Sequence, residues 1–217
     1  MSIIKLHNIT KTHDEVILQD LNLEISDGEF VIITGPSGCG KSSLLQILGL
    51  IEPATSGQYI IDHEDIKDLS PNRIAVLRHA LFGFIFQRYH LIEHLTILDN
   101  ILLPLQYGEH HDGPERAQEY MQSLGIDHLK NRHPSQLSYG QQQRASIARA
   151  MITQPKIILA DEPTGSLDPE NSILVMEELR KIHNQGQTVI LITHNLELIQ
   201  KTDIHYKIEN KQMVRVS

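Results

Sequence analysis

The sequence predicts an α/β protein with a mostly parallel sheet, an antiparallel β region on its N-terminal side and a helical block inserted into the sheet core. Three observations predict it. Short runs rich in β-branched residues, FVIIT (30–34), KIILAD (156–161) and TVILITH (188–194), alternate with helix-periodic segments, as in a parallel sheet crossed by helices. Ahead of the Asp27-Gly28 turn, IIKLHNI and VILQDLNLEI alternate apolar and polar residues, which predicts two antiparallel strands. From about Arg88 to Pro155, helix patterns follow one another without a strand signal.

Taken in order, FVIIT is a short buried strand, followed by a Gly-rich loop and by KSSLLQILGLI, a helix of about three turns. FGFIF is a strand ending at Gln87. TILDNILLPLQY, PERAQEYMQSLG and GQQQRASIARAMI supply the inserted helices. KIILAD and TVILITH are further buried strands, and NSILVMEELRKIHNQG between them is an amphipathic helix ending at Gly186. TDIHYKIENKQMVRVS reads as two closing strands. A chain of 217 residues suits one domain, with a core of about 1–87 and 156–217 and a helical subdomain of about 88–155.

Composition removes several classes of function. Nineteen Lys and Arg against 27 Asp and Glu give a net charge of −8, the wrong sign for a broad grip on phosphate backbones, so no nucleic-acid partner is expected. The longest apolar run, Ala80 to Phe86, is seven residues even counting Gly83, against the roughly 18 of a membrane span. No signal-peptide pattern opens the chain, and the single Cys39 fits a reducing compartment, so a cytoplasmic location is expected. His110, His111 and Asp112 in GEHHDGP are read as a polar surface loop, since zinc sites use four spaced ligands.

The chemistry concentrates in four places. GPSGCGKS, residues 35 to 42, fits G-x-x-x-x-G-K-[ST] between a strand and a helix, the context that cradles nucleotide phosphates. Gly35, Pro36, Ser37, Gly38, Cys39 and Gly40 form the loop. Lys41 is a point charge for the β and γ groups, Ser42 offers a hydroxyl to Mg²⁺, and Ser43 can donate to a further phosphate oxygen. KIILAD carries Asp161 to a strand end, where a nucleotide-bound Mg²⁺ needs a carboxylate. Glu162, one residue on, faces elsewhere and is placed to act as base on a water. His194 ends TVILITH and could hold Glu162, the water and the γ-phosphate in line, while Gln87 can reach Mg²⁺ with its amide oxygen. LSYGQQQR, residues 137 to 144, sets Ser138 and Gly140 at a helix start with a positive dipole end, a second anion site.

With these residues in order, the chain resembles, over essentially its whole length, the ATP-binding subunit of ABC transporters, a P-loop NTPase family. GPSGCGKSS resembles its Walker A, Gln87 its Q-loop, LSYGQ its signature sequence, IILAD with Glu162 its Walker B, Ser166 to Asp168 its D-loop, and His194 its switch histidine. The resemblance implies a Mg²⁺-dependent ATPase whose two copies pack head to tail, with Ser138, Gly140 and Gln141 of one, and Asp168, serving the ATP held by the other. It implies a separate transmembrane permease, and hence a peripheral place on the inner face of the cell membrane. That permease is expected to dock where Gln87 meets RYHLIEHLTILDN.

TILDNILLPLQY and ADEPTGSLD look most like the ATPases of lipoprotein-releasing and macrolide-exporting systems and of a related cell-division complex, whose ATPase signals rather than transports. Two positions depart from the family pattern. Tyr139 stands where the family commonly has glycine, which requires its side chain to point away from the phosphate. His13, in TKTHDE, stands where the family stacks an aromatic on adenine. A chromosome-organising ATPase would need a long coiled coil between Lys41 and Ser138, and a translation-associated one resembles two such domains.

Overall fold

The computed structural model describes residues 1–107 and 112–217, so His110 and His111 lie outside the described residues. Asp112 is ion-paired with Arg116. Among the described residues, no group of three or more His, Cys, Asp and Glu could hold a metal ion, and no helix is long and apolar enough to cross a membrane.

Strands β1 (Ser2–Thr12) and β2 (Val16–Ser26) pair antiparallel, with Ile4 opposite Ile25 and Leu6 opposite Leu23, so that one face is continuously apolar. Then come β3 (Phe30–Thr34) and α1 (Lys41–Leu48). Next are β4 (Ser56–Ile61), the short β5 (Glu64–Asp65), α2 (Pro71–Leu81) and β6 (Phe82–Ile85). Helices α3 (Ile97–Leu102), α4 (Gly113–Ser123) and α5 (Tyr139–Met151) follow with short 3₁₀ turns and, among the described residues, no strand between them. Strand β7 (Ile157–Asp161), α6 (Pro169–Asn184), β8 (Thr188–Ile192), β9 (Ile204–Glu209) and β10 (Gln212–Arg215) complete the described fold.

The antiparallel sheet has four strands rather than the two expected, in the order β2-β1-β4-β5. The second pair comes from SGQYII and Glu64–Asp65, whose apolar alternation is too short to announce itself in sequence. The six-stranded sheet runs β10-β9-β3-β8-β7-β6, parallel except for β10 at its edge. Of the two closing strands, β9 is parallel to β3 and β10 turns back on β9.

Helix α1 has two turns, not the expected three. At Gly49 its backbone comes so close to β6 and β7 that a side chain would strike the Phe84 ring and Leu159, and Leu50 turns the chain away at φ 56°. Helix α2 was not evident from the apolar pattern; Ser70 caps it by accepting from the Arg73 N–H.

Residues of the parallel strands alternate between two cores. Val31, Ile33, Ile157, Leu159, Ile190 and Ile192 join the antiparallel sheet and α1. Phe30, Ile32, Ile158, Ala160, Val189 and Leu191 join α3, α4, α5 and α6 on the other face. Each fully buried Ile or Leu contributes about 1.5–3 kcal/mol relative to exposure, so both faces hold the sheet firmly. The strand ends that bear the candidate site emerge between these two layers.

Candidate active site

The Gly-rich loop leaves β3 at Thr34, whose Oγ1 lies 2.7 Å from Nε2 of His205 on β9. Burial, and after it the nearby Lys207 charge, lower the pKa of that imidazole. Gly40 closes the loop at φ 99°, with Leu18 and Ile17 of β2 directly beneath, where a side chain would clash. Only glycine fits both conditions. Gly38, at φ 77°, faces open space.

Lys41 is 9% exposed, and its Nζ donates to the carbonyls of Gly35 and Pro36 at 2.8 and 2.9 Å. A buried ammonium that is satisfied only by its own loop's carbonyls is a fitting partner for phosphate oxygens. Ser42 Oγ donates to Asp161 Oδ2 at 3.1 Å across the start of α1 and the end of β7. Burial raises the Asp161 pKa; the Ser42 bond opposes that, Glu162 adds to it and Lys41 opposes it. An oxygen-donor pair of hydroxyl and carboxylate suits Mg²⁺, which would draw Asp161 toward its charged form. These residues therefore fit a nucleotide phosphate chain with its cation.

Glu162 takes φ 45°, a left-handed conformation uncommon for this residue, and its N–H donates to the Ile192 carbonyl at 2.9 Å. The kink sets its carboxylate apart from that of Asp161. Glu162 Oε1 lies 2.9 Å from His194 Nδ1, and Oε2 accepts the His194 N–H at 3.3 Å. With Nδ1 donating, neutral His194 presents a lone pair at Nε2, so donating to a phosphate oxygen requires a second proton or a turn of the ring. Gln87 lies just past β6 with its amide against Gly165, whose added side chain would meet Gln87 Nε2 at 2.9 Å. The structure thus brings Ser42 to Asp161, Glu162 to His194, and Gln87 to the segment after Glu162.

Ser138, Gly140 and Gln141 are not joined to this group. Ser138 Oγ accepts the Gln141 N–H at 3.3 Å and Gln141 Oε1 accepts the Ser138 N–H at 3.0 Å, a reciprocal cap on α5. The Ser138 hydroxyl keeps its proton to donate, and the first amides of the helix have no partner within it. Gly140 is buried because Asn171 of α6 occupies the space a side chain would need. Asn171 in turn donates to Asp168 through its backbone N–H at 2.9 Å and its side-chain amide at 2.8 Å. Asp168 is thereby the N-cap of α6, and hydrogen bonding holds its carboxyl below the usual range. His13, in the β1–β2 turn, has its ring 3.7 Å from Glu52, which also pairs with Lys11. Sequence reading missed Asn171, Tyr89 and Arg149, because each acts through tertiary contact and carries no motif.

The sequence profile of the ABC transporter family matches residues 18–165. The macrolide export ATP-binding/permease protein MacB of Pasteurella multocida is 43% identical over 208 residues, covering 93% of this chain and 32% of that protein. The uncharacterized ABC transporter ATP-binding protein MJ1508 of Methanocaldococcus jannaschii is 41% identical over 203 residues, covering 93% and 91%. The chain thus spans about a third of the length of the macrolide export relatives. The dimeric structure of MJ0796, a bacterial ABC transporter cassette, superposes with a TM-score of 0.89 at 37% identity and covers 99% of both chains. A dimeric post-hydrolysis state of the same cassette, bound to ADP and Pi, gives 0.88 at 35%.

Proposed function

Because this chain belongs to the ABC transporter family and is an ATP-hydrolysing cassette, we propose that two copies close head to tail on two ATP molecules and drive a separate transmembrane permease of the exporter or lipoprotein-release type. One observation carries the reading. Each chain holds one cradle with its own carboxylate and histidine, and one anion-binding helix end whose hydrogen bonds run only to itself. Two copies related by a twofold axis complete both sites. The dimeric structures of the similar cassette support the arrangement.

Within this scheme the loop of Gly35 to Gly40, Lys41, Ser42 and Ser43 hold the phosphates, and Asp161, Ser42 and Gln87 hold Mg²⁺. Bound Mg²⁺ supplies charge neutralisation to the phosphate oxygens. Glu162 takes the proton of the attacking water, and His194 keeps its carboxylate aimed. Ser138, Gly140 and Gln141 donate from the partner copy, Asp168 orders the seam between copies, and His13 lies at the adenine end. Residues of about 88–155 move as the helical subdomain on the rest.

Mixing Ser138→Arg and Lys41→Ala subunits tests the shared site. Neither variant alone should turn over ATP, whereas a hybrid dimer has one intact site, so an equimolar mixture should recover about a quarter of the wild-type rate. No recovery in a mixture that does form mixed dimers would refute sites shared between copies.

For the permease, a groove of about 870 Å³ runs between α2 and the turn after α3, floored by Phe84 and Phe86. Val76 and Tyr107 on its rim are 56% and 76% exposed. An apolar recess beside Gln87 fits an apolar cytoplasmic segment of the permease. Val76→Asp with Tyr107→Asp should lower stimulation by permease-containing vesicles about tenfold or more, a buried charge costing over 1.4 kcal/mol. The ATPase rate of the isolated subunit should be unaffected. Full stimulation of the double variant would place docking elsewhere.

A further inference from the structure

Tyr139, the residue at which the signature departs from glycine, does not stand free. Its ring lies 6.4 Å from that of Tyr89, centroid to centroid, with 30° between the planes. Tyr89 follows Gln87 by two residues, and its hydroxyl is buried without a hydrogen-bond partner. A phenol oxygen held in that way is fixed by packing, and the Tyr139 ring is the aromatic neighbour of the Tyr89 ring.

A second tie runs from the same helix. Arg149 donates through its two guanidinium nitrogens to the carbonyls of Tyr89 and His90, each at 2.5 Å. The segment returns toward β6 through the His90 ring, 4.9 Å from Phe86, after a left-handed turn at His90 with φ 49°. The segment 86–90 is therefore strapped to α5 at two points ten residues apart in that helix, about 15 Å along its axis. With glycine at 139 the ring contact to Tyr89 would be lost while the Arg149 tie remains. Tyr139 remains 67% exposed, so its outer face is open toward a partner copy.

We propose that Tyr139 is a positioning residue: through Tyr89 it makes the segment bearing Gln87 and the Ser138 end of α5 a single moving piece, so that a change at Gln87 in one site alters the helix end presented to the other. The inference rests on the shared-site reading above. It assigns to this chain a direct mechanical link between its two half-sites, placed in the position where the family's glycine gives none.

The test uses steady-state ATP hydrolysis by Tyr139→Phe, Tyr139→Ala, Tyr89→Leu and the Tyr89→Leu/Tyr139→Ala double variant. An aromatic pair is worth about 0.5–1.5 kcal/mol, so Tyr139→Ala and Tyr89→Leu should each lower kcat roughly two- to twelve-fold and reduce the cooperativity in ATP. Tyr139→Phe, which keeps the ring, should stay within about twofold, and the double variant should be no slower than the slower single one. The protein has no tryptophan, so Tyr139→Trp adds a sole tryptophan, whose emission is separable from that of the tyrosines. Its emission should shift when MgATP binds, and Tyr89→Leu should abolish the shift. Additive losses in the double variant, Tyr139→Phe as slow as Tyr139→Ala, or a shift indifferent to Tyr89 would each overturn the proposal. Failure of the shared-site reading would show separately, as no recovered turnover in mixed dimers of Ser138→Arg and Lys41→Ala while the emission shift persists.

Discussion

Glu162→Gln lowers kcat by about 10²–10⁴, the usual contribution of a positioned general base, while MgATP stays bound and the protein runs as a dimer of twice its 24.7 kDa chain mass. The substitution conserves shape. Glu162 Oε1 receives Nδ1 of His194 and Oε2 receives its N–H, and a glutamine oxygen can still accept one of these. The unusual φ of 45° is held by the bond from the Glu162 N–H to Ile192, which involves no side-chain atom. What disappears is basicity, so ATP that closes the dimer is not cleaved to open it. Solution mass with and without MgATP, set beside phosphate release, is the check. Retained steady-state hydrolysis would move the base to another residue, and a persistent monomer would show that closure needs the permease.

Lys41→Ala weakens MgATP binding by roughly 10²-fold or more, since charge-assisted hydrogen bonds are worth about 1.5–3 kcal/mol each and Lys41 offers two or more to the phosphates. It also has a cost in the absence of nucleotide. The carbonyls of Gly35 and Pro36 lose their donor, so the free protein should melt roughly 2–4 °C lower for each kcal/mol lost. Calorimetric titration with MgATP and a thermal melt of the free protein separate the two effects. Unchanged affinity would remove Lys41 from the cradle, and an unchanged melt would mean that the loop reorganises around the missing ammonium.

Much of this was legible because local rules governed it. The strand-loop-helix order around Lys41 and the apolar runs ending at Asp161 and near His194 are sequence-local, and the structure has them where periodicity predicts. Strand β4 and the early end of α1 were not legible, because they depend on partners distant in sequence, β1 for the strand and Phe84 and Leu159 for the helix end, and β5 is a two-residue strand that exists only by pairing with β4. The same holds within the site. The Glu162 to His194 bond follows from two strand ends brought side by side, which the motifs suggest. The burial of Gly140 under Asn171, by contrast, and the place of Tyr139 against Tyr89 follow from packing that no single segment encodes. His13 is expected at the adenine from its place in the family pattern, whereas Glu52, its neighbour in the fold, lies far away in sequence.

The division of the parallel strands between two cores bears on how the protein can vary over generations. Neighbouring residues of one strand answer to different surroundings, Ile32 to the helices around α5 and Ile33 to the layer around the cradle. Substitution at one parity can thus repack the helices around α5 while the layer around the cradle keeps its own contacts. Substitution at the other parity reaches the layer around the cradle and leaves the packing of the helical side in place. One sheet is in this way a partition between two packing environments that can vary independently, by alternate residues along β3, β7 and β8.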